Sequence, residues 1–336
     1  MFKGRRVRRG AAGVTAAEWI AVKRATERSE ERAAAFEREA SFLRELSGEH
    51  GVVQLLKAFV RLGRAHLCLE LCHLDVHVWL AASREPPPEE AAEHFAAQLL
   101  GAVEAVHERG VAHRDIKPKN VLLKKCPAAG GAFPYVVKLA DFGMAQHISS
   151  TDLAICGTPS NMAPEMALKL RYEPQAVDAY SCGTVLYQVL TKIPPVRASS
   201  VQELQLKLQT PPEPLPYPAR TASCIKEVTN GLLRREPARR LSVHRAREML
   251  RHESGYVVVN RGSNPEAADT DARVHMLLWA AQRARSASAA GISCSTRAIR
   301  PSRMPTSQIV SMSLAGSMTW PPLSRMASLR GMRVPV

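Results

Sequence analysis

The sequence predicts an α+β protein in which strands and one helix come first and a larger, mainly helical part follows. Three observations lead there. Short apolar runs of strand type sit early, at Trp19–Arg24, Val52–Val60 and Ala65–Leu71. Helical apolar stripes dominate after Pro86–Pro88. The chain has 336 residues, 46 % of them apolar, enough to bury a core and to exclude a wholly disordered protein.

Each element has its own local reason. Ser29 to Leu46 reads as a helix, with Ser29 as cap, Glu30 and Glu31 in the first turn, and Phe36, Ala40 and Leu43 on one face. Glu89–Glu90 open a long helix whose Phe95, Leu99, Val103 and Val106 form one stripe, with Gly110 as its stop. Val121–Leu123 and Val136–Leu139 read as a strand pair joined by the long loop CPAAGGAFP. Ala176–Leu190 is apolar nearly all round, as a central buried helix is. Pro194–Pro195 and PPEPLPYP mark surface loops, and 223–233 and 242–251 are amphipathic helices. From about residue 258 the pattern dissolves into Ser, Arg, Ala, Met and Pro. The expected division is a folded domain over 1–257 and a basic, disordered tail over 258–336, with one short helix at Ala272–Arg285.

Charge and cysteine content narrow the functional classes. Lys and Arg number 46 against 31 Asp and Glu, a net +15. Residues 257–336 hold ten Arg, two Asp and one Glu, so +7 of that lies in the tail. Elsewhere acids and bases are interspersed, and no aromatic–basic interleaving marks a nucleic-acid site. Seven cysteines at irregular spacing, with no CxxC, speak against a zinc site or a disulfide framework. They fit a reducing compartment, the cytoplasm, with the nucleus also open. No run is long and apolar enough for a membrane span, and MFKGRRVRRG has no apolar stretch for a secretory signal.

The chemistry is carried by three strings in order: His113-Arg114-Asp115-Ile116-Lys117-Pro118-Lys119-Asn120, Asp141-Phe142-Gly143 and Ala163-Pro164-Glu165. With these the sequence resembles the eukaryotic protein kinase family over about Val7 to His252. The resemblance implies a two-lobed kinase fold, a small antiparallel β lobe with one helix and a larger mainly helical lobe. It implies ATP and Mg2+ as cofactors and a protein Ser/Thr hydroxyl as acceptor. Asp115 matches the catalytic base, Lys117 the lysine that neutralises the transferred phosphate, and Asn120 and Asp141 the two magnesium positions, all hard oxygen donors. Lys23, in Ala21-Val22-Lys23, matches the lysine that grips the nucleotide phosphates. Its glutamate partner is Glu37 or Glu39, and the spacing to Leu43 and Leu46 favours Glu39.

The same resemblance implies a hinge at Leu71–His73, with Glu70, Leu71 and Cys72 along adenine. Ala21 and Leu122 sandwich the ring, Leu69 is the gatekeeper and Asp75 reaches the ribose. Asp178 matches the anchor of the catalytic loop backbone, Glu165 and Arg240 a buried ion pair, and Leu43, Leu56, His113 and Phe142 an apolar column between the lobes.

The departures are specific. The Gly-rich phosphate loop is poor. If Val7 takes the family's valine position over the nucleotide, the last glycine position falls on Arg5, so the loop is either truncated or degenerate. Asn161 replaces the usual tyrosine, and Ala154 stands where many kinases carry an activating phosphothreonine, leaving Ser149, Ser150 and Thr151 as alternatives. Met162 argues against strict proline direction, and Lys119 against arginine just before the target residue. Ser286, Ser302 and Ser328 in the tail each follow an arginine closely and read as sites for another kinase. Two functions compete. One is an active Ser/Thr kinase acting on protein substrates, with a regulatory protein partner left open. The other is a pseudokinase scaffold that binds without chemistry.

Overall fold

In the computed structural model, residues 1–10, 13–126, 133–151 and 154–254 are described, and they fall in one folded unit. The tail over 258–336, the helix at Ala272–Arg285 and the three tail serines lie outside the described residues.

The chain opens with β1 (Phe2–Gly10) and β2 (Gly13–Arg24), an antiparallel hairpin. Helix α1 (Glu30–Glu45) follows, its start fixed by Ser29, whose side chain accepts from the Arg32 amide at 3.3 Å. Strands β3 (Leu55–Arg61) and β4 (Arg64–Glu70) complete a four-stranded sheet in the order β1-β2-β4-β3. Both neighbours of β4 are antiparallel to it, and Ala21 and Leu55 each stand opposite Leu69. This is the expected small lobe, and it contains one strand that the sequence reading did not assign: β1 occupies the stretch expected to be a phosphate loop.

After the segment 71–73 comes β5 (Leu74–Asp75), then α2 (Val76–Ala81) and the long α3 (Glu89–Glu108). Gly110, at φ 73°, takes the left-handed turn that ends α3. Short β6 (Val111–Ala112) leads into the catalytic loop, and β7 (Val121–Lys125) pairs with β8 (Tyr135–Leu139) as expected. Strand β9 (Gln146–His147) pairs back on β6. Then follow α4 (Pro164–Ala167), α5 (Pro174–Thr191), α6 (Val201–Leu208), α7 (Ser223–Leu232) and α8 (Val243–Ser254). Among the described residues no helix is long and apolar enough to cross a membrane.

The core is continuous between the lobes. Leu43, Leu67 and Leu69 from the sheet side pack in one apolar cluster with Phe95, Leu99, Val103 and Phe142 from the helical side. Leu43 and Phe142 are each 1 % exposed, and the Phe142 ring lies 4.7 Å from that of His113. In the expected column Leu56 yields its place to Leu55. The β3–β4 register shifts between Leu55 and Lys57, and Leu55 is the residue packed on the core. A bulge of this kind turns one side chain off its face.

Candidate active site

The site gathers where the sheet, α1 and the loops around β7 and β8 converge. Lys23 leaves β2 with its ammonium between two carboxylates. Its Nζ lies 2.8 Å from both Glu39 oxygens and 2.7 Å from Asp141 Oδ1. Glu39 is buried on the inner face of α1, whereas Glu37 points outward to Arg44 at 2.7 Å. The partner choice made from spacing is therefore the one the helix face produces. Burial alone would depress the Lys23 pKa, but Glu39 and Asp141 outweigh it and hold the ammonium above its usual range. Burial pushes the Glu39 carboxyl up, since Lys23 only partly offsets its loss of solvent. Burial also opposes ionisation of Asp141, but Lys23 more than compensates and holds it below the usual range. One ammonium shared by two carboxylates cannot satisfy both equally, and the more deeply buried one loses.

The catalytic loop is held from beneath. Asp178, fully buried in α5, accepts from the backbone amides of His113 at 2.8 Å and Arg114 at 2.7 Å, and lies 2.9 Å from His107 Nε2. Desolvation would raise its pKa, but the hydrogen bond and charge of His107 prevail and keep it low. His113 braces the other side. Its Nε2 meets the Ala140 carbonyl at 3.0 Å, which places the proton on Nε2, and its Nδ1 receives the Asp115 amide at 3.3 Å.

On this support Asp115 is enclosed by donors. Lys117 Nζ lies 2.6 Å and Asn120 Nδ2 3.0 Å from Asp115 Oδ2, and Thr158 Oγ1 donates to Oδ1 at 3.2 Å. Lys117 also donates to Thr158 at 2.9 Å. The sequence reading missed Thr158; its signal was its place in CGTP, seven residues before Glu165. Gly157 makes the approach possible. At φ 94° a Cβ there would stand 2.9 Å from the Arg114 carbonyl, so a side chain would push this loop away from Asp115.

Asn120 spends its amide hydrogens on Asp115, on Oδ2 and on the carbonyl at 2.9 Å. Its own Oδ1 is thereby turned away from Asp115 and left as an acceptor. Asp141 sits at φ 66° with its side chain 46 % exposed. These two oxygens fit a magnesium ion, which takes one or two protein carboxylates or amides and completes its shell with phosphate and water. Among the described residues no three His, Cys, Asp or Glu side chains group to hold a metal, and an ion held by Asn120 and Asp141 would draw its other ligands from phosphate and water.

The remaining expected contacts divide. Ala21 and Leu69 face each other across β2 and β4 beside the hinge, and Leu122 pairs with Asp75. The hinge between β4 and β5 keeps its neighbours occupied, with the Glu70 amide on the Gln54 carbonyl and the His73 amide on the Leu123 carbonyl, each at 2.9 Å. Among the described residues no backbone carbonyl takes the Cys72 amide between them. Asp75 caps α2, its carboxylate accepting from the Val78 amide at 2.8 Å.

The Glu70 side chain turns away from the hinge into a cluster with Lys124 at 2.6 Å, Lys138 at 2.9 Å and the Gln54 amide at 3.0 Å, so only its main chain remains there. Val7 pairs with Ala17, six residues along β2 from Lys23, or about 20 Å at the usual strand rise. It is not brought to the nucleotide position, because β1 runs the whole hairpin instead of turning into a loop.

Farther out, Glu165 and Arg240 form the expected buried pair through two parallel bonds of 2.6 and 2.9 Å. Arg240 also donates to the Ala176 carbonyl at 2.8 Å and the Arg234 carbonyl at 2.9 Å.

Comparison with known proteins agrees with this geometry. The sequence is 35 % identical to human serine/threonine-protein kinase ULK1 over 204 residues, covering 59 % of this chain and 19 % of that protein. It is 36 % identical to mouse serine/threonine-protein kinase ULK3 over 180 residues, 53 % of this chain and 37 % of that one. With Caenorhabditis elegans serine/threonine-protein kinase unc-51 it shares 31 % over 214 residues, 61 % of this chain and 25 % of the relative. The chain thus spans well under half the length of these curated relatives. Residues 7–253 match the protein kinase domain, and with that match, on this arrangement of lobes and loops, the chain belongs to the protein kinase family.

Proposed function

We propose that this chain transfers the γ-phosphoryl group of ATP to a serine or threonine hydroxyl of a protein substrate. The observation that carries the reading is the enclosure of Asp115, with Lys117, Asn120 and Thr158 all within 3.2 Å of its carboxylate. Phosphoryl transfer demands positioning and charge neutralisation more than covalent chemistry. Asp115 orients the incoming hydroxyl and takes its proton. Lys117 faces the charge that builds on the transferred group, and Thr158 fixes both. Lys23 holds the nucleotide phosphates, itself held by Glu39. The hinge at Leu71 and Cys72 receives adenine between Ala21 and Leu122, and Asp75 stands beside the ribose. Asn120 and Asp141 hold magnesium, which when bound neutralises phosphate charge. Lys117 beside Asp115 and the likeness to serine/threonine-protein kinases support Ser/Thr as the acceptor.

A binding-only scaffold is favoured by one observation: Phe2–Gly10 is a strand, so the described residues supply no glycine cradle of backbone amides over the phosphates. Phosphate incorporation into a generic protein substrate separates the two. The expected result is magnesium-dependent transfer by the wild type and none by Asp115→Ala. Equal incorporation by both, or nucleotide binding without any transfer, would sink the catalytic reading.

A further inference from the structure

Arg114 enters the catalytic loop at φ 62°, a left-handed backbone that non-glycine residues adopt only when their surroundings enforce it. Asp178 does the enforcing through the Arg114 amide. The guanidinium is thereby aimed, and with the residue only 8 % exposed it has to find protein acceptors. Nε donates to the Met144 carbonyl at 2.9 Å and Nη1 to the Tyr172 hydroxyl at 3.3 Å. Tyr172 passes the connection on, donating to the Ala154 carbonyl at 2.8 Å.

Met144 directly follows Asp141–Gly143, and Ala154 directly precedes the loop that brings Thr158 to Asp115. Arg114 and one hydroxyl therefore join the two ends of the stretch 144–154. These acceptors are all neutral. Tyr172 is itself firmly seated, 5 % exposed and packed with Met162, Met166, Val177 and Tyr180. Alanine at 154 offers no hydroxyl to modify.

We propose that Tyr172 is a positioning residue whose hydroxyl ties the segment 144–154 to Arg114, so that transfer needs no prior phosphorylation of this segment. The catalytic half of the inference rests on the kinase reading above; the tether does not.

The test uses the full chain, treated with phosphatase until its intact mass shows no phosphate. The stripped wild type is expected to phosphorylate a generic protein substrate as fast as the same protein after preincubation with ATP. Tyr172→Phe should lower kcat about tenfold, the scale of a small displacement near reacting atoms, with KM for ATP unchanged. Its hydrogen exchange should rise across 145–157 and not across α5. Adding Ala154→Glu to Tyr172→Phe hands Arg114 a carboxylate and should restore both kcat and protection. A wild type silent until its segment is phosphorylated overturns the proposal, as does unchanged exchange across 145–157 in Tyr172→Phe. If no form transfers phosphate, the kinase reading fails, and the exchange comparison still decides the tether.

Discussion

Lys23, Glu39 and Asp141 meet across the gap between the sheet and the helices, with Asp141 nearly half exposed. Asp178 lies wholly buried under the catalytic loop, its carboxylate used by two backbone amides and one imidazole. The first cluster joins a strand, a helix and a loop, and its carboxylates compete for one cation. The second sits inside one helix-packed body and has a partner for each oxygen. The contrast teaches a division of labour. The carboxylate that holds the loop's geometry is buried and saturated, whereas Asp141 on the nucleotide side is left accessible and shares its one cation.

Substitutions can break that division. The largest expected effect is Asp115→Asn, which should cut transfer by about 10²- to 10⁴-fold while leaving ATP affinity intact, because this carboxylate faces the acceptor hydroxyl and not the nucleotide. Asp141→Asn, in the accessible cluster, should lose magnesium-dependent nucleotide binding as well. Steady-state kinetics together with nucleotide titration read both, and equal loss of ATP affinity in the two variants would collapse the distinction.

Next comes the saturated side. Arg240→Ala strands Glu165 in the interior and should cost about 3–5 kcal/mol in urea unfolding. A cost below 1 kcal/mol would mean that the pair is solvated in solution.

Acidification should then separate the two clusters by sign. Asp178 has a lowered pKa in the fold, so its stabilisation is present above the ordinary aspartate value near 3.9 and is lost as pH falls through the lowered one. Glu39 has a raised pKa, so its ionised form costs stability, and the cost disappears as pH falls through the raised value. Melting temperatures across pH 3–7 should therefore show wild type gaining on Glu39→Gln as pH drops toward 4, then losing its margin over Asp178→Asn below that. Parallel curves for all three proteins would contradict the assignment.

The smallest effect is expected at the rejected partner. Glu37→Ala removes only an exposed pair with Arg44 and should change stability by less than about 1 kcal/mol and activity not at all. Glu39→Ala assayed beside it gives the contrast.

The catalytic loop, Asp141 and the Lys23–Glu39 pair were legible because phosphoryl transfer admits few residue types at fixed spacing, and the helical period placed Glu39 inward and Glu37 outward. Strand β1 was not, because FKGRRVRRG carries too many charges to read as a strand; hairpin pairing with β2, more than apolar burial, gives it its form. Helix α6 was overlooked although Ser200 and Glu203 spell a helix-start signature, with the Ser200 hydroxyl accepting from the Glu203 amide at 3.1 Å. Thr158 acquires its role only when the activation segment folds back over Asp115, a contact across 43 positions for which CGTP gives the place and not the partner. The exchange of Leu55 for Leu56 comes from a bulge, which shifts strand parity without leaving a mark in composition.

The hinge carries a consequence for chemical probes. Cys72 lies in the segment expected to receive adenine, a position that invites design of an electrophilic ligand. Burial, reinforced by the nearby Glu70 carboxylate, pushes its thiol up to about 12. Only the thiolate attacks carbon electrophiles, and a thiol pushed up in this way stays protonated at neutral pH. Acrylamides or chloroacetamides seated at this hinge should therefore leave Cys72 unmodified, and an inhibitor for this chain has to win its residence time through shape and hydrogen bonding to the hinge backbone.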